Sequence, residues 1–203
     1  MSNSSVTTKE RILDAAEELM TTKSFHSVGL NEILTAVKVP KGSFYHYFES
    51  KEQFGVELLK HYVAEATAKK RKMLLSEELD VNPLERFITY LNGSIARMLE
   101  KDCRRSCLVL KLCAEVSSMS PDMRDVLAAG MRDWHGIFEQ LFREGQAKGA
   151  IRADIDPKMT ADMAHDYWMG ALQRMLAEQS VAPLKTAVAF FRTYLAPVSA
   201  SPS

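Results

Sequence analysis

Several patterns are missing from this 203-residue chain. No apolar run reaches the roughly 18 residues that cross a bilayer, and the opening MSNSSVTTKE lacks the hydrophobic segment of a signal peptide. No phosphate-binding glycine loop, HExxH or GxSxG motif appears, and strand-like alternation is nearly absent. We therefore expect a cytoplasmic, all-α protein that is not an enzyme and has no membrane partner.

Cysteine is also scarce. The three cysteines, Cys103, Cys107 and Cys113, lie within eleven residues of one another. An odd, clustered set does not suit a secreted disulfide framework, so we expect reduced thiols. The spacing C-x3-C-x5-C lacks the short cysteine pairs of structural zinc sites, and no histidine lies close to it in sequence. We predict neither a metal nor a cofactor.

Charge of one sign is not in excess, because 26 Lys and Arg balance 26 Asp and Glu. Residues 1–62 carry seven basic against eight acidic side chains. The overall charge therefore does not indicate nucleic-acid binding, and any nucleic-acid interface must depend on a local cluster of basic residues. It would depend on few phosphate contacts per subunit and on the pairing of subunits.

Helical spacing of apolar residues recurs along the chain, with no internal repeat and no long low-complexity linker. The pattern predicts helices near residues 8–22, 30–37, 41–47, 51–75, 83–100, 104–117, 121–147, 157–179 and 183–196. Ser50 and Gln53 form a potential capping box at the start of the fourth helix. We expect a domain junction inside that long helix.

The segment KVPKGSFYHYF, residues 38–48, combines a turn, aromatic side chains and positive charge without an acid. Pro40 favours a helix start, and Phe44 and Phe48 lie four residues apart on one face. Two short helices joined this tightly form a helix-turn-helix. The remaining side chains suit phosphates and base edges in a major groove. Alternatively, Tyr45 or Tyr47 is partly buried in the core.

The stretch PKGSFYHYFESKEQF, residues 40–54, follows an apolar helix near residues 8–22, a linker containing Phe25 and a helix near 30–37. In this order the chain resembles the TetR family of transcriptional repressors. EGQAKGAIRADIDP, residues 144–157, is similar to the family's passage into its dimerising helices.

The resemblance implies an N-terminal three-helix helix-turn-helix DNA-binding domain at residues 1–50 and a larger helical regulatory and dimerisation domain at residues 51–203. It also implies a homodimer that binds a palindromic double-stranded DNA operator. The residues expected at the DNA are Lys41, Gly42, Ser43, Tyr45, His46, Tyr47 and Lys51. Three positions depart from the family pattern: Lys38 and Pro40 in the turn, where glycine and serine are common, and Gly29, where a hydroxyl often contacts phosphate.

The last two helices carry a second pattern. Asp156 and Pro157 predict a capped start, and small residues alternate with large ones in the first of the two helices. Its notable residues are Met163, Tyr167, Gly170, Ala171 and Arg174, while the final helix has an apolar stripe of Leu184, Val188, Phe191 and Leu195. The family resemblance implies a four-helix dimer interface here. The alternative is that both helices cover the core of one subunit.

The segment DCRRSCLVLKLCAEV, residues 102–116, places Cys103, Cys107, Lys111 and Glu115 on one helical face. Nearby cations favour the reactive thiolate, so Cys107 is the best candidate for a reactive residue. CLVLKLCAEV resembles the electrophile-responsive repressors of the family, which implies that Cys107 senses quinones, aldehydes or chlorine oxidants. The alternative is an inert, buried Cys107, and Cys113 is expected to be buried.

The expected regulatory region is rich in aromatic and methionine side chains, which belong to a core more often than to a cavity. If a ligand pocket exists, its lining is expected to include Trp134, His135, Phe138, Tyr167, Trp168 and Arg174. The leading hypothesis is a repressor released by modification of Cys107. The alternatives are a repressor induced by a noncovalent apolar or aromatic ligand, an all-α enzyme with Cys107 as nucleophile, and a helical interaction protein.

Overall fold

The computed structural model describes residues 7–20, 23–25, 27–76, 81–100, 108–116 and 120–198, with the backbone alone at residues 114 and 116. Every regular element in these ranges is an α-helix. The helices are α1 (Thr8–Met20), α2 (Leu30–Ala36), α3 (Lys41–Tyr47), α4 (Lys51–Leu75), α5 (Pro83–Leu99), α6 (Leu108–Val116), α7 (Pro121–Ala147), α8 (Pro157–Glu178) and α9 (Ala182–Leu195). The predicted all-α fold is confirmed.

Contacts divide the chain into two compact units. Unit 1 contains Met1–Glu65 and Ser106–Gly130, and unit 2 contains Ala66–Arg105 and Met131–Ser203. The chain passes from one unit to the other within α4, between α5 and α6, and within α7. The proposed domain boundary after residue 50 stays a prediction.

Three phenylalanines form the centre of the core in unit 1. The rings of Phe44 and Phe48 lie 4.9 Å apart, and the ring of Phe54 lies 5.4 Å from Phe44 and 5.0 Å from Phe48. All three side chains are at most 2% exposed. Such tilted and edge-on pairs add roughly 0.5–1.5 kcal/mol each to the burial of their area. This aromatic cluster fixes the inner face of α3, as the spacing of Phe44 and Phe48 predicted.

Helix α1 is attached to α4 by two polar contacts around its apolar face. The Lys9 ammonium lies 2.9 Å from the Glu57 carboxylate, and the His61 ring lies 2.8 Å from the Asp14 carboxylate. Exposed ion pairs of this kind contribute at most about 1 kcal/mol, so the buried residues of α1 supply most of the attachment. Those residues are Ile12, Leu13, Ala16 and Met20.

The turn between α2 and α3 has the hydrogen bonds of a Schellman motif. The N–H of Val39 donates to the Leu34 carbonyl over 2.9 Å, and the N–H of Lys38 donates to the Thr35 carbonyl over 3.2 Å. The residue between the helix end and Val39 must then adopt a left-handed conformation, and Lys38 has φ +56°. The Arg11 guanidinium also donates to the carbonyl of Val37 over 2.7 Å. The turn is therefore well bonded but carries a strained lysine.

The predicted cap of α4 is half formed. The Ser50 hydroxyl accepts from the Gln53 N–H over 3.0 Å, as a capping box requires. The return bond is missing, because the buried Oε1 atom of Gln53 has no hydrogen-bond partner within the described ranges. By contrast, the predicted cap of α8 is confirmed, since Asp156 accepts from the Met159 N–H over 2.6 Å and Pro157 opens the helix.

Unit 2 is built around Phe87 of α5. Its ring lies 5.1 Å from Phe142 and 5.5 Å from Phe191, in edge-on contacts. The neighbouring Arg86 is 5% exposed, donates to the Leu74 carbonyl over 2.5 Å and pairs with the Glu144 carboxylate. Without this guanidinium, the Leu74 carbonyl and the Glu144 carboxylate would each lose a hydrogen-bond donor. We therefore regard Arg86 as part of the core.

The apolar stripe of α9 lies inside the core of unit 2. Its members are Leu184, Val188, Phe191 and Leu195, none of them more than 9% exposed. They cannot form the outer contact surface that the sequence pattern suggested, because they already pack within one chain. The large apolar side chains of α8 and α9 that are exposed are instead Met159, Met163, Tyr167 and Phe190.

We predict that Lys38→Gly stabilises the protein by about 0.5–1 kcal/mol, because glycine adopts the left-handed conformation without steric cost. The side chain of Lys38 is exposed, so little packing is lost. Chemical denaturation measures the change in free energy of unfolding. Lys38→Ala removes the same charge and keeps the strain, so it should bring no gain; equal gains in both variants would contradict the strain argument.

Candidate nucleic-acid interface and sensing segment

The outer face of α3 presents polar and aromatic side chains without an acid. Phe44 holds the helix from the inside, so the residues around it point outward. Among the residues expected at DNA, Ser43 is half-buried. The others are exposed: Lys41, Gly42, Tyr45, His46, Tyr47 and Lys51. Tyr45 is 62% exposed and Tyr47 37% exposed, so neither belongs to the core. One short helix thus brings together hydrogen-bonding groups that suit phosphates and base edges.

The two lysines of this face differ in their surroundings. The ammonium of Lys51 lies 5.3 Å from the ring centre of Phe25, a cation–π contact that positions it at the start of α4. Lys41 opens α3 after Pro40, whose backbone is extended. Gly29 precedes α2 and supplies no side-chain cap, so this chain lacks a hydroxyl at that position. The positive charge of the face is therefore supplied chiefly from α3 and the start of α4.

A small cavity of about 180 Å³ lies beneath this face in unit 1. Its lining is apolar except for one cation and one phenol, and consists of Met20, Val28, Leu30, Ile33, Phe44, Tyr45, Lys51 and Phe54. Sequence reasoning missed this cavity, because its lining comes from four separate helices and the loop before α2.

Two candidate sensing residues, Cys103 and Cys107, lie outside the described residues. The helix that follows them, α6, belongs to unit 1 together with α1, α2 and α3. Its first N–H, at Leu108, donates to the Tyr62 hydroxyl over 3.3 Å. Near its other end, the Glu115 carboxylate accepts from the N–H of Phe25 over 3.1 Å. Helix α6 is thus bonded at both ends to segments that carry or flank the α3 face.

The other residues of the sensing segment lie on α6. Burial lowers the pKa of the half-buried Lys111, and the negative charge of Glu115 opposes this shift. Cys113 is half-buried, not buried as expected, because its position on α6 leaves it partly at the surface.

The proposed pocket residues do not form one lining. Trp134, Phe138 and Trp168 are buried, and the indole N–H of Trp134 donates to the Thr67 hydroxyl over 2.9 Å. By contrast, Tyr167 is 42% exposed. Arg174 is exposed as well, and its guanidinium bonds to the Glu178 carboxylate over 2.9 Å. The expectation that these two line an interior pocket is corrected, because both lie on the outer side of α8.

His135 lies half-buried between this aromatic core and α8. Its Nδ1 atom is 3.0 Å from the Asp162 carboxylate, and its ring centre is 4.6 Å from that of His165. Burial, and then the charge of His135, lowers the pKa of His165 to about 4. Sequence reasoning missed this pair, because the two histidines lie on different helices. Among the described residues, no helix is long and apolar enough to cross a membrane.

Comparison with known proteins supports the same reading over most of the chain. Residues 12–58 match the model of bacterial regulatory proteins of the tetR family, and residues 83–191 match a tetracyclin repressor-like C-terminal domain. The HTH-type transcriptional repressor NemR of Escherichia coli is 32% identical over 93% of this chain and 94% of its own. The transcriptional regulator AcuR of Cereibacter sphaeroides is 36% identical over 91% of this chain and 82% of its own.

Two solved structures are similar throughout. The reduced form of E. coli NemR superposes with a TM-score of 0.84 at 32% identity, covering 94% of this chain and 98% of that chain. A regulatory protein TetR from Rhodobacter sphaeroides gives 0.83 at 34% identity, covering 92% and 97%. With family models matching both parts of the sequence and a relative this similar over its whole length, the chain belongs to the TetR family of bacterial transcriptional regulators.

Proposed function

We propose that this protein is a dimeric transcriptional repressor that leaves its DNA operator when an electrophile or oxidant modifies Cys107. The observation that carries the DNA-binding part is the exposed face of α3, which is held from behind by the buried Phe44 and Phe48. The relatives NemR and AcuR are a transcriptional repressor and a transcriptional regulator, and both are similar to this chain over nine-tenths of its length.

The neutral charge of the chain limits how one subunit binds DNA. Each phosphate contact contributes to a salt-dependent affinity, and here few cations are available for such contacts. Lys41 and Lys51 supply the phosphate contacts, while Ser43, Tyr45 and His46 supply donors and acceptors for base edges. We call the outer face of α3 together with Lys51 the reading head. One reading head alone binds DNA weakly. Two reading heads joined in a dimer on a palindromic operator bind together, and this raises the affinity.

The dimer surface that we propose is the exposed apolar face of α8 and α9. Met159, Met163 and Tyr167 follow one another at four-residue steps on α8, and each is 42–55% exposed. Phe190 of α9 extends the face, with its ring 5.3 Å from that of Tyr167. A Cβ atom at Gly170 would meet no atom within 4 Å, so the backbone there is open to close approach. Contiguous exposed apolar groups of this kind mark contact surfaces.

The chemistry proposed for Cys107 is a thiolate addition. With a quinone, the sulfur forms a C–S bond to a ring carbon, and the ring carbonyls accept the electron pair and protons, giving a hydroquinone thioether. The thiol proton and the displaced ring proton balance the two hydroxyl groups formed, so no further reductant is required. Arg104, Arg105 and Lys111 are the nearest cations in sequence and favour the thiolate.

Helix α6 connects this chemistry to the DNA-binding face. Cys107 directly precedes Leu108, whose N–H bonds to Tyr62, and a shift of α6 would also displace Glu115 from Phe25. A hydrogen bond to a charged group contributes about 1.5–3 kcal/mol, which corresponds to roughly a tenfold to hundredfold change in an equilibrium. Loss of this one contact is therefore large enough to bias two arrangements of the reading head.

A second candidate is induction by a noncovalent ligand in unit 2. It is favoured by a polar side chain among aromatic rings in unit 2. The ring of the half-buried His135 lies 4.6 Å from that of His165, and the ring of His165 lies 6.1 Å from that of the buried Trp134. A flat, apolar molecule with one polar group would suit such surroundings. Release by a molecule that cannot react with thiols distinguishes this candidate from the first.

We predict that Lys41→Ala weakens operator binding and lowers the salt slope, d log K/d log[salt], by about 1 per subunit, because one phosphate contact is lost. Fluorescence anisotropy over a salt series, with a duplex selected from genomic fragments, measures both quantities. Lys185→Ala removes an equally exposed lysine from α9 and should leave the slope unchanged. An unaltered slope in the Lys41 variant would show that α3 does not approach the phosphates as proposed.

We predict that a stoichiometric amount of benzoquinone releases the wild-type protein from its operator and leaves Cys107→Ser bound. Intact-mass measurement should find one adduct per released wild-type chain. Cys103→Ser and Cys113→Ser are matched controls, and both should be released like the wild type.

Release of Cys107→Ser by the same amount of quinone would sink the covalent mechanism. Release of that variant by a nonelectrophilic compound, with reversible binding at equilibrium, would favour the ligand-induced repressor. Turnover of many quinone molecules per chain, in place of one adduct, would instead revive an enzyme.

We predict that Met163→Asp converts the dimer to monomers, because a carboxylate buried in an apolar interface loses its hydration. Sedimentation equilibrium measures the change, and operator affinity should fall with it. Leu99→Asp is the matched control, since Leu99 of α5 is 52% exposed and Met163 is 53% exposed. A Met163 variant that remains dimeric at the same concentration would place the interface elsewhere.

A further inference from the structure

Helices α7 and α8 bring two histidines and a carboxylate together in unit 2. The donor atoms of His135, His165 and Asp166 all lie within 4.8 Å of one another. Thirty residues separate the histidines in sequence, so the contact depends on the packing of α7 against α8. In a tetrahedral site with bonds of about 2.0–2.2 Å, donor atoms lie roughly 3.3–3.6 Å apart. The side chains would therefore move closer on binding, and Asp166 is exposed.

A second observation points to a ligand at the same place. The Nδ1 atom of His135 lies 3.0 Å from the Asp162 carboxylate, which in turn is bonded to the Lys158 ammonium over 2.9 Å. In the neutral ring, an Nδ1 proton donated to this carboxylate leaves the lone pair on Nε2. That Nε2 atom is buried, and no described residue bonds to it. A buried polar atom without a hydrogen-bond partner is unfavourable, and a bound ligand would supply the missing partner.

We propose that His135, His165 and Asp166 form a binding site for a divalent transition metal of the zinc type. Two imidazole nitrogens and one carboxylate oxygen are a donor set that Zn²⁺ and its neighbours accept, with water completing the coordination on the exposed side of Asp166. Asp162 takes the position of the outer carboxylate that orients a metal-binding histidine.

The charges around the site are compatible with a bound cation. Lys70 is the opposing cation, and its ammonium lies over the Trp134 ring, 3.8 Å from the ring centre. The carboxylates of Asp162 and Asp166 balance the charges of Lys70 and Lys158.

A second group, Asp14, His61 and Glu65 in unit 1, also has donor atoms within 4.8 Å of one another. The Nε2 atom of His61 lies 2.8 Å from the Asp14 carboxylate, so this nitrogen already has a hydrogen-bond partner within the group. The two acids are exposed and well hydrated. We therefore assign the metal to the His135 site, and the unit 1 group provides a control.

The test is titration of the full-length protein with Zn²⁺ by calorimetry and with Co²⁺ by absorption spectroscopy. The expected result is one ion per chain, with a Co²⁺ spectrum free of the intense thiolate-to-cobalt band. His165→Asn and His135→Asn should weaken binding at least tenfold, and Asp162→Asn by about 10- to 100-fold through loss of the orienting carboxylate. His61→Asn should bind the ion like the wild type.

Circular dichroism and thermal unfolding without metal verify that each variant is folded. Because Asp162 is half-buried at the surface of α8 and its side chain is 37% exposed, Asp162→Asn keeps the test informative even if a histidine variant fails to fold. Zn²⁺ affinity unchanged by Asp162→Asn and by a folded histidine variant overturns the proposal. So does a thiolate band that persists in those variants, which would assign the ion to the cysteines, and so does the absence of binding by the wild type.

Discussion

Burial of Phe44, Phe48 and Phe54 against one another is the constraint on which the proposed DNA-binding face depends. These rings fix the rotation of a seven-residue helix that is too short to be stable alone. With its rotation fixed, Tyr45 and His46 can only point away from the core. The same rings connect α3 to the first turn of α4. The orientation of the proposed DNA-binding face is therefore set by the apolar residues on the opposite side of α3.

The elements that the sequence predicts well are those with local causes. Helical periodicity, Asp156 with Pro157 and the spacing of Phe44 and Phe48 act within one or two turns, and their outcomes agree with the structure. The left-handed Lys38 is a contrary local case: the hydrogen bonds of the turn demand that conformation, although lysine has no preference for it. Side-chain identity alone could not reveal this, because glycine is the usual signal.

Contacts between distant residues could not be predicted. The bond from Phe25 to Glu115 and the pairing of His135 with His165 depend on how helices pack, which periodicity does not specify. The apolar stripe of α9 is a second case in which periodicity does not identify the packing partner. An apolar stripe indicates that a face is buried, but not whether its cover is the same chain or a second copy. Here Leu184 and Phe191 face their own chain, and the proposed dimer face is made of exposed side chains outside the α9 stripe.

The neutral charge and the proposed release mechanism fit together energetically. If each reading head binds weakly, the affinity of the dimer comes mainly from joining two heads, a gain that can reach 10²–10⁴ and that is lost when the heads no longer fit the half-sites together. Release then does not require unfolding of α3 or removal of all its contacts. In the proposed mechanism, a shift of α6 that breaks the Glu115 contact would be sufficient, because it would change the geometry of the two DNA-binding faces in the dimer. A strongly basic face would resist such a small change, since its phosphate contacts alone would keep it bound. The modest charge proposed for each face would make release responsive to that change.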